Sequence, residues 1–265
     1  MGYLARNLRR NLPAIIVFVA AIGLLEVWVR SMEVRAFLLP APSSIVGALV
    51  ENWEVGYQIW PAAQTTLLEA AGGLVIGTLL GIGVALVISR WPVARDVALP
   101  VAVAINAIPI IAFAPIANNW FGVLSPNSKM VIAAVLVFFP IMINVLRGLT
   151  EVPASSLELM RSYAARPATV FLKVRVPNAL PFFLTGLKVA ATLALIGAVV
   201  GEYFGGLNVA LGRIVVQSAS KLAFEVTWAA IIVASVVGIA MYLLIVSVER
   251  VVIPWHPAVR GERAT

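Results

Sequence analysis

Residues 66–89, TLLEAAGGLVIGTLLGIGVALVIS, contain one ionisable side chain, Glu69, in an otherwise apolar run. About 20 such residues are what an α-helix needs to cross a hydrocarbon layer of about 30 Å, where each backbone N–H and C=O must find its partner within the helix. The stretch, extended to 62–89, is therefore predicted to span a membrane. Five others read the same way, at 13–30, 98–117, 128–147, 179–201 and 226–253. The composition agrees: 62% of residues are hydrophobic and 12% charged, against about 25% charged in an ordinary soluble domain. Mean hydropathy is +1.01. The predicted fold class is an all-α membrane protein of about six transmembrane helices, with 1–265 forming one transmembrane domain.

Between the first two spans, APSSIVGALVENWEVG (41–56) opens on a Pro-Ser start signal and places Ile45, Val46, Leu49 and Val50 on one face. It reads as a short interfacial helix. The apolar run after Arg6, Arg9 and Arg10 continues through Glu26, Trp28 and Arg30 without a small-residue exit, which predicts an uncleaved first span. With the N-terminus inside, the cytoplasmic side receives Arg6, Arg9, Arg10, Arg90, Arg95, Arg147, Arg161, Arg166, Lys173, Arg175, Arg250, Arg260 and Arg263. The outer side receives only Arg30, Arg35, Lys129, Arg213 and Lys221. The positive-inside rule then places both termini, the tails 1–12 and 254–265, in the cytoplasm. Lys188 falls near the inner third of the fifth span and is expected to snorkel inward. This asymmetry accounts for the net charge of +7, so the lipid bilayer is the implied partner and a nucleic acid is not.

The longest break in the apolar pattern is the predicted cytoplasmic loop 148–178. From Arg147 to Arg175 five cations face Glu151 and Glu158, a net of +3. A first helix is predicted to start at Ser155 or Ser156, with Glu158 in its first turn and a partly apolar face of Leu157, Leu159, Met160, Tyr163 and Ala164. Pro167 suits the first turn of a second helix, expected to close at VRVPNALP, where Pro177 and Pro181 bracket the entry to the fifth span. Exposed Leu, Met, Tyr and Phe side chains outside the bilayer call for a partner surface.

The chain has no cysteine and one histidine, His256, which removes disulfides, thiol nucleophiles and Cys/His metal sites. No metal or other cofactor is expected. It also lacks the Gly-x-x-x-x-Gly-Lys-[Ser/Thr] phosphate loop, so ATP would have to be handled by another subunit. Intramembrane catalysis has almost nothing to build on, because no span carries an Asp. A secondary transporter, the remote alternative, would show inverted repeats and membrane-embedded charge pairs. Neither is legible.

The loop resembles the EAA motif of the membrane-spanning permeases of binding-protein-dependent, ATP-driven (ABC) importers: Glu-Ala-Ala, three residues, Gly, nine residues, Ile-x-Leu-Pro. Glu158 takes the Glu position, Leu159 and Met160 those of the alanines, Ala164 that of the glycine, Val174 that of the Ile, and Val176-Pro177 that of the Leu-Pro. FLLPAPSSIVGAL, LPVAVAINAIPIIAFAPIANNWFG and VPNALPFFLTGLKVAA, with GAVVGEYFGG, look like successive blocks of the nitrate/sulfonate/taurine branch. The resemblance implies the type I importer fold, a second permease copy as homodimer partner, two copies of a cytoplasmic ABC ATPase and an extracytoplasmic substrate-binding protein. It implies that 156–165 and 167–175 form the coupling element, with Glu158, Arg161, Tyr163, Ala164, Arg166 and Pro167 at the ATPase contact. The turn at Ala164 is expected to be right-handed, which an alanine tolerates.

Gly73, Gly77 and Gly81, four residues apart, form a small stripe suited to close helix packing, within the chain or between two copies. Asn106, Pro109 and Asn118 in the third span, beside Pro115 and Asn119, suggest a distorted helix lining a pathway. Glu202 in GEYFGG is read as lining the outer vestibule or sitting at headgroup level. The scarcity of deep cations favours a neutral polar or aromatic compound, and the tracts RSYAARPATVFLKVRVPNALP and VVGEYFGG resemble those of permeases for pyrimidine, thiamine-precursor or riboflavin-type compounds, which implies a small organic solute of that kind. Nitrate, sulfonate or taurine is the alternative.

Overall fold

The computed structural model describes residues 2–91, 109–207 and 209–254 and a few isolated positions between 93 and 104. In order they form α1 (Gly2–Ser31), α2 (Pro42–Glu51), α3 (Ile59–Ile88), α4 (Ile110–Phe121), α5 (Pro126–Thr150), α6 (Ala154–Ser162), α7 (Pro167–Phe204), α8 (Leu211–Ser220) and α9 (Phe224–Val252). No strand occurs among the described residues, and five helices there are long and apolar enough to cross a membrane. The expected third span appears only as its outer part, α4, because most of 98–108 lies outside the described residues. Pro109 lacks an N–H and takes an extended ψ of 111° immediately before α4, so the helix begins after it.

The helix α5 lies between α3 and α7 and packs along both. In lipid no hydrophobic drive holds helices together, so close backbone approach has to supply the packing. The sequence provides this on both flanks. A methyl group added at Gly77 would come within 2.6 Å of the Ala134 carbonyl oxygen and 2.7 Å of Val137 Cβ, and one at Gly81 within 2.9 Å of the Phe138 carbonyl oxygen. Gly73 sits as tightly on Ala133 and Met130. The glycine stripe is thus used for packing inside the chain. From the other flank, α7 presents Ala190, Ala191, Ala194 and Ala198, all fully buried, with Gly197 against Ala133. Replacing Gly77 by Ala should cost about 1–3 kcal/mol through forced helix separation. Gly83→Ala, with nothing within 4 Å of the new methyl, should be neutral or slightly stabilising. Thermal melting of the two purified variants checks the contrast.

On the expected outer side, α2, α8, the start of α3 and the start of α9 share a second core around Ile59, Ala62, Leu211, Ile214, Ala229 and Ala230. The helix α8 was not expected from the sequence. The helix α2 was, although Ala41 rather than a serine stands at its N-cap. By contrast the described side chains of α1, from Leu12 to Ser31, are almost all exposed, and α2 is the helix it chiefly touches. Glu26 fastens that contact by accepting hydrogen bonds from the Ser43 backbone N–H at 2.9 Å and hydroxyl at 2.6 Å. The expected N-terminal tail is itself helical from Gly2, whereas 255–265, with His256, Arg260 and Arg263, lies outside the described residues, as does Arg95.

Candidate functional site

The exit of α5 and the entry of α7 are tied before the loop between them begins. Asn178 Nδ2 donates to the Gly148 carbonyl at 2.7 Å and to the Glu151 carbonyl at 3.2 Å. Gly148 permits this approach, because a side chain there would strike Ala179 Cα at 2.5 Å. Neither residue was singled out from the sequence. An Asn one residue past Pro177 with a Gly 30 positions earlier carries no local signature, and only the pairing of the helices reveals it.

From this anchor α6 projects as a nine-residue helix. It starts at Ala154 behind Pro153, not at a serine cap, so Glu158 sits beyond the first turn. The predicted dipole interaction is therefore absent. At its other end the Ala165 N–H reaches back to the Met160 carbonyl at 3.0 Å and the Ala164 N–H to the Arg161 carbonyl at 2.9 Å. This pair of bonds is the Schellman closure, which places the residue after the C-cap in the left-handed region. That residue is Ala164, at φ +48°. The expectation of a right-handed turn is thus overturned: the turn keeps the geometry suited to glycine although the glycine is gone. A left-handed alanine costs on the order of 1 kcal/mol. Ala164→Gly should remove that strain and raise hydrogen-exchange protection of the Ala165 amide about fivefold.

The second predicted helix does not close before the fifth span. From Pro167 the chain runs helically to Phe204, widening into a π-turn at Phe171–Arg175. Pro177 and Pro181 lack the N–H groups that would bond back to Lys173 and Pro177, and a widened turn is one way a helix absorbs such losses. The start of α7 is consequently a rigid lever joined to a membrane span. Around it α6 divides its residues among three sides. Leu157, Arg161 and Ala165 border an open groove of about 880 Å³ that reaches the ends of α3 and α5. Ser156 and Met160 border a smaller recess against Val174, Pro177 and Phe182. Facing away are Glu158, Ser162 and Arg166, all exposed, with Tyr163 at 74% and, from α7, Leu172 at 65% exposure, while Leu159, 55% exposed, stands between this side and the recess and Pro167 borders the groove. The structure therefore brings Glu158, Tyr163 and Arg166 to one outward surface and turns Arg161 and Pro167 toward the groove.

A second polar assembly lies at the opposite end of the bundle, and it is buried. Glu202 of α7, fully enclosed, accepts the Gly212 N–H at 2.7 Å, while Thr66 of α3 accepts the Leu211 N–H at 3.1 Å. Together they cap α8 from the two flanking spans. The Glu69 carboxyl is a neighbour of Glu202. Lys129, counted from sequence as an outer-loop cation, is also fully buried beside them, its ammonium donating to the Val123 and Ser125 carbonyls. Oε2 of Glu69 and Oε1 of Glu202 have no hydrogen-bond partner. Toward the other end, Lys188 Nζ donates to both oxygens of Glu249 at 3.0 and 2.9 Å. Lys188 thus bonds α7 to α9, three residues before the end of α9. The expectation of no charge pairs within the spans fails at Lys188 and Glu249.

Of the residues read as pathway-lining, Asn118 is 4% exposed and packs against Gly205, its Oδ1 unpartnered. Glu202 is interior in this chain, neither at a vestibule surface nor at headgroup level. Pro109 is exposed at the start of α4, and Asn106 lies outside the described residues.

Residues 73–254 match the family model described as binding-protein-dependent transport system inner membrane component. The chain is 33% identical to a probable ABC transporter permease of Haemophilus influenzae, over 84% of this chain and 90% of the other. It is 33% identical to a formylaminopyrimidine transport permease of Halalkalibacterium halodurans, over 88% and 92%. A riboflavin transport system permease of Chloroflexus aurantiacus is 29% identical over 95% and 94%.

Proposed function

We propose a working cycle for this chain from one premise: it belongs to the family of binding-protein-dependent transport system inner-membrane components, and is a multi-pass ABC importer permease subunit. In that cycle α6 and the start of α7 seat on a separate cytoplasmic ATPase. The observation that carries this is the outward surface of Leu159, Tyr163 and Leu172 beside Glu158 and Arg166. Such apolar side chains at the end of a membrane lever, outside the bilayer, are stable in water only when a partner covers them. Because Pro167–Phe204 is a continuous helical run, movement at that surface reaches the glycine- and alanine-packed bundle through the π-turn at Phe171–Arg175.

Two permease copies enclose the pathway in this reading, with two ATPase copies beneath and a substrate-binding protein outside. The nearly uncovered stretch Leu12–Ser31 of α1 is available to lipid and to the second copy. The cargo is a small organic solute of the formylaminopyrimidine or riboflavin kind, supported by the names and full-length coverage of two relatives.

Coexpression of the chain with its ATPase should yield a complex of two permeases and two ATPases by mass. Vesicles bearing that complex and its binding protein should take up labelled formylaminopyrimidine or riboflavin in preference to taurine or nitrate. A complex active with a single permease copy would refute the assembly, and preference for an inorganic anion would refute the cargo. Orientation is checked by cysteines introduced into this cysteine-free chain. One at Ser162 should react only from the cytoplasmic side and one at Leu124 only from outside. Leu124 is preferable to Ser125, whose hydroxyl caps α5.

A further inference from the structure

The groove behind α6 is a different surface from the outward face just assigned to the ATPase. Its described lining carries three guanidinium groups, of Arg90, Arg161 and Arg175, and no acid. They come from three segments, the exit of α3, α6 and the π-turn of α7, and none forms a salt bridge among the described residues. Three like charges gathered on one concavity repel one another unless an anion joins them. The wall beside them is apolar, with Leu86 and Phe171, and Trp91 stands at its edge, 57% exposed. The level is fixed by the helices: α3 ends at Ile88 and α5 at Thr150, so the groove opens where spans leave the hydrocarbon on the side assigned to the cytoplasm.

We propose that this groove binds the phosphate of an anionic phospholipid from the cytoplasmic leaflet. The guanidinium groups hold the phosphate oxygens through charge-assisted hydrogen bonds. Leu86 and Phe171 flank the glycerol and first acyl carbons, and Trp91 lies at the headgroup level that its amphipathic ring favours. A free phosphate would satisfy the cations but leave the apolar wall uncovered, and the cytoplasmic leaflet supplies anionic headgroups at this level. One lipid would bridge the coupling helix, the lever and the end of α3, so that leaflet composition bears on how α6 is held. The inference rests on the importer reading only for which leaflet the groove faces.

The test uses the full chain, delipidated in detergent, alone and with its ATPase. It is titrated with phosphatidylglycerol, phosphatidylcholine or inorganic phosphate and followed by native mass spectrometry. Wild type should retain one phosphatidylglycerol per chain in preference to phosphatidylcholine, and the R90Q/R175Q variant should bind it roughly thirtyfold more weakly. R147Q, on the same rim but outside the groove and paired with Glu151, should bind as wild type. Equal retention of the two lipids, an equal loss in R147Q, or unchanged retention in R90Q/R175Q would overturn the proposal. So would displacement of the lipid by equimolar inorganic phosphate. Loss of the ATPase from R90Q/R175Q with lipid retention intact would assign the arginines to the ATPase contact instead and equally overturn it.

Discussion

Lys129→Met should leave little well-folded protein, with a loss of about 3–5 kcal/mol relative to wild type. The lysine is fully buried. It is the cation facing Glu69 of α3 and Glu202 of α7, and its ammonium satisfies two carbonyls of the turn that leads into α5. Removing it leaves two buried carboxyls without a counter-charge and two carbonyls without a donor. The damage would spread because Glu202 and Thr66 also hold the first two N–H groups of α8. The informative comparison adds E69Q and E202Q to the methionine variant. If charge imbalance is the cause, the neutral triple variant should recover most of the lost stability, since a glutamine oxygen can still accept from Gly212. Monodisperse yield and melting temperature separate the cases. A methionine variant as stable as wild type would show that the three groups do not depend on one another.

This triad also marks a boundary of what the sequence discloses. Spans were legible because apolar runs of this length have one physical meaning in lipid, and the glycine stripe because small residues at i, i+4 and i+8 share a face. Lys129 was misread as a loop charge because it stands four residues after Ser125, where hydropathy cannot separate the last loop residue from the first enclosed one. Glu249 escaped notice because its partner Lys188 is 61 positions away, and no periodicity links residues on different helices. The same limit hid α8, whose apolar side is covered by α3 and α9 and whose N-terminus is capped from two other helices. At Ala164 the motif spacing pointed to the turn, yet residue identity argued against its left-handed geometry. The Schellman hydrogen bonds outweighed an alanine's strain of about 1 kcal/mol. Local propensity lost there to a closure that also positions the lever.

Tyr163→Ala combined with Leu159→Asp should disconnect the chain from its ATPase while leaving it folded in the membrane. Both side chains are largely exposed, at 74% and 55%, and neither belongs to the packed cores. Their replacement therefore removes no internal contact of consequence, and the variant should insert, elute and melt as wild type. If they seat on the ATPase, the tyrosine is the stronger anchor, because a large amphipathic ring at an interface centre is worth about 2 kcal/mol or more on truncation. The aspartate adds the cost of placing a charge against an apolar surface. Together they should weaken ATPase recovery roughly a hundredfold and abolish uptake. Glu158→Lys alone should act less, since an exposed pair contributes at most about 1 kcal/mol, and its effect should diminish in high salt. That difference separates an apolar seat from a charge-steered one. A double variant that still recovers the ATPase and still transports would move the coupling contact off this surface, and α6 would then act only as the strut that holds the lever against α5.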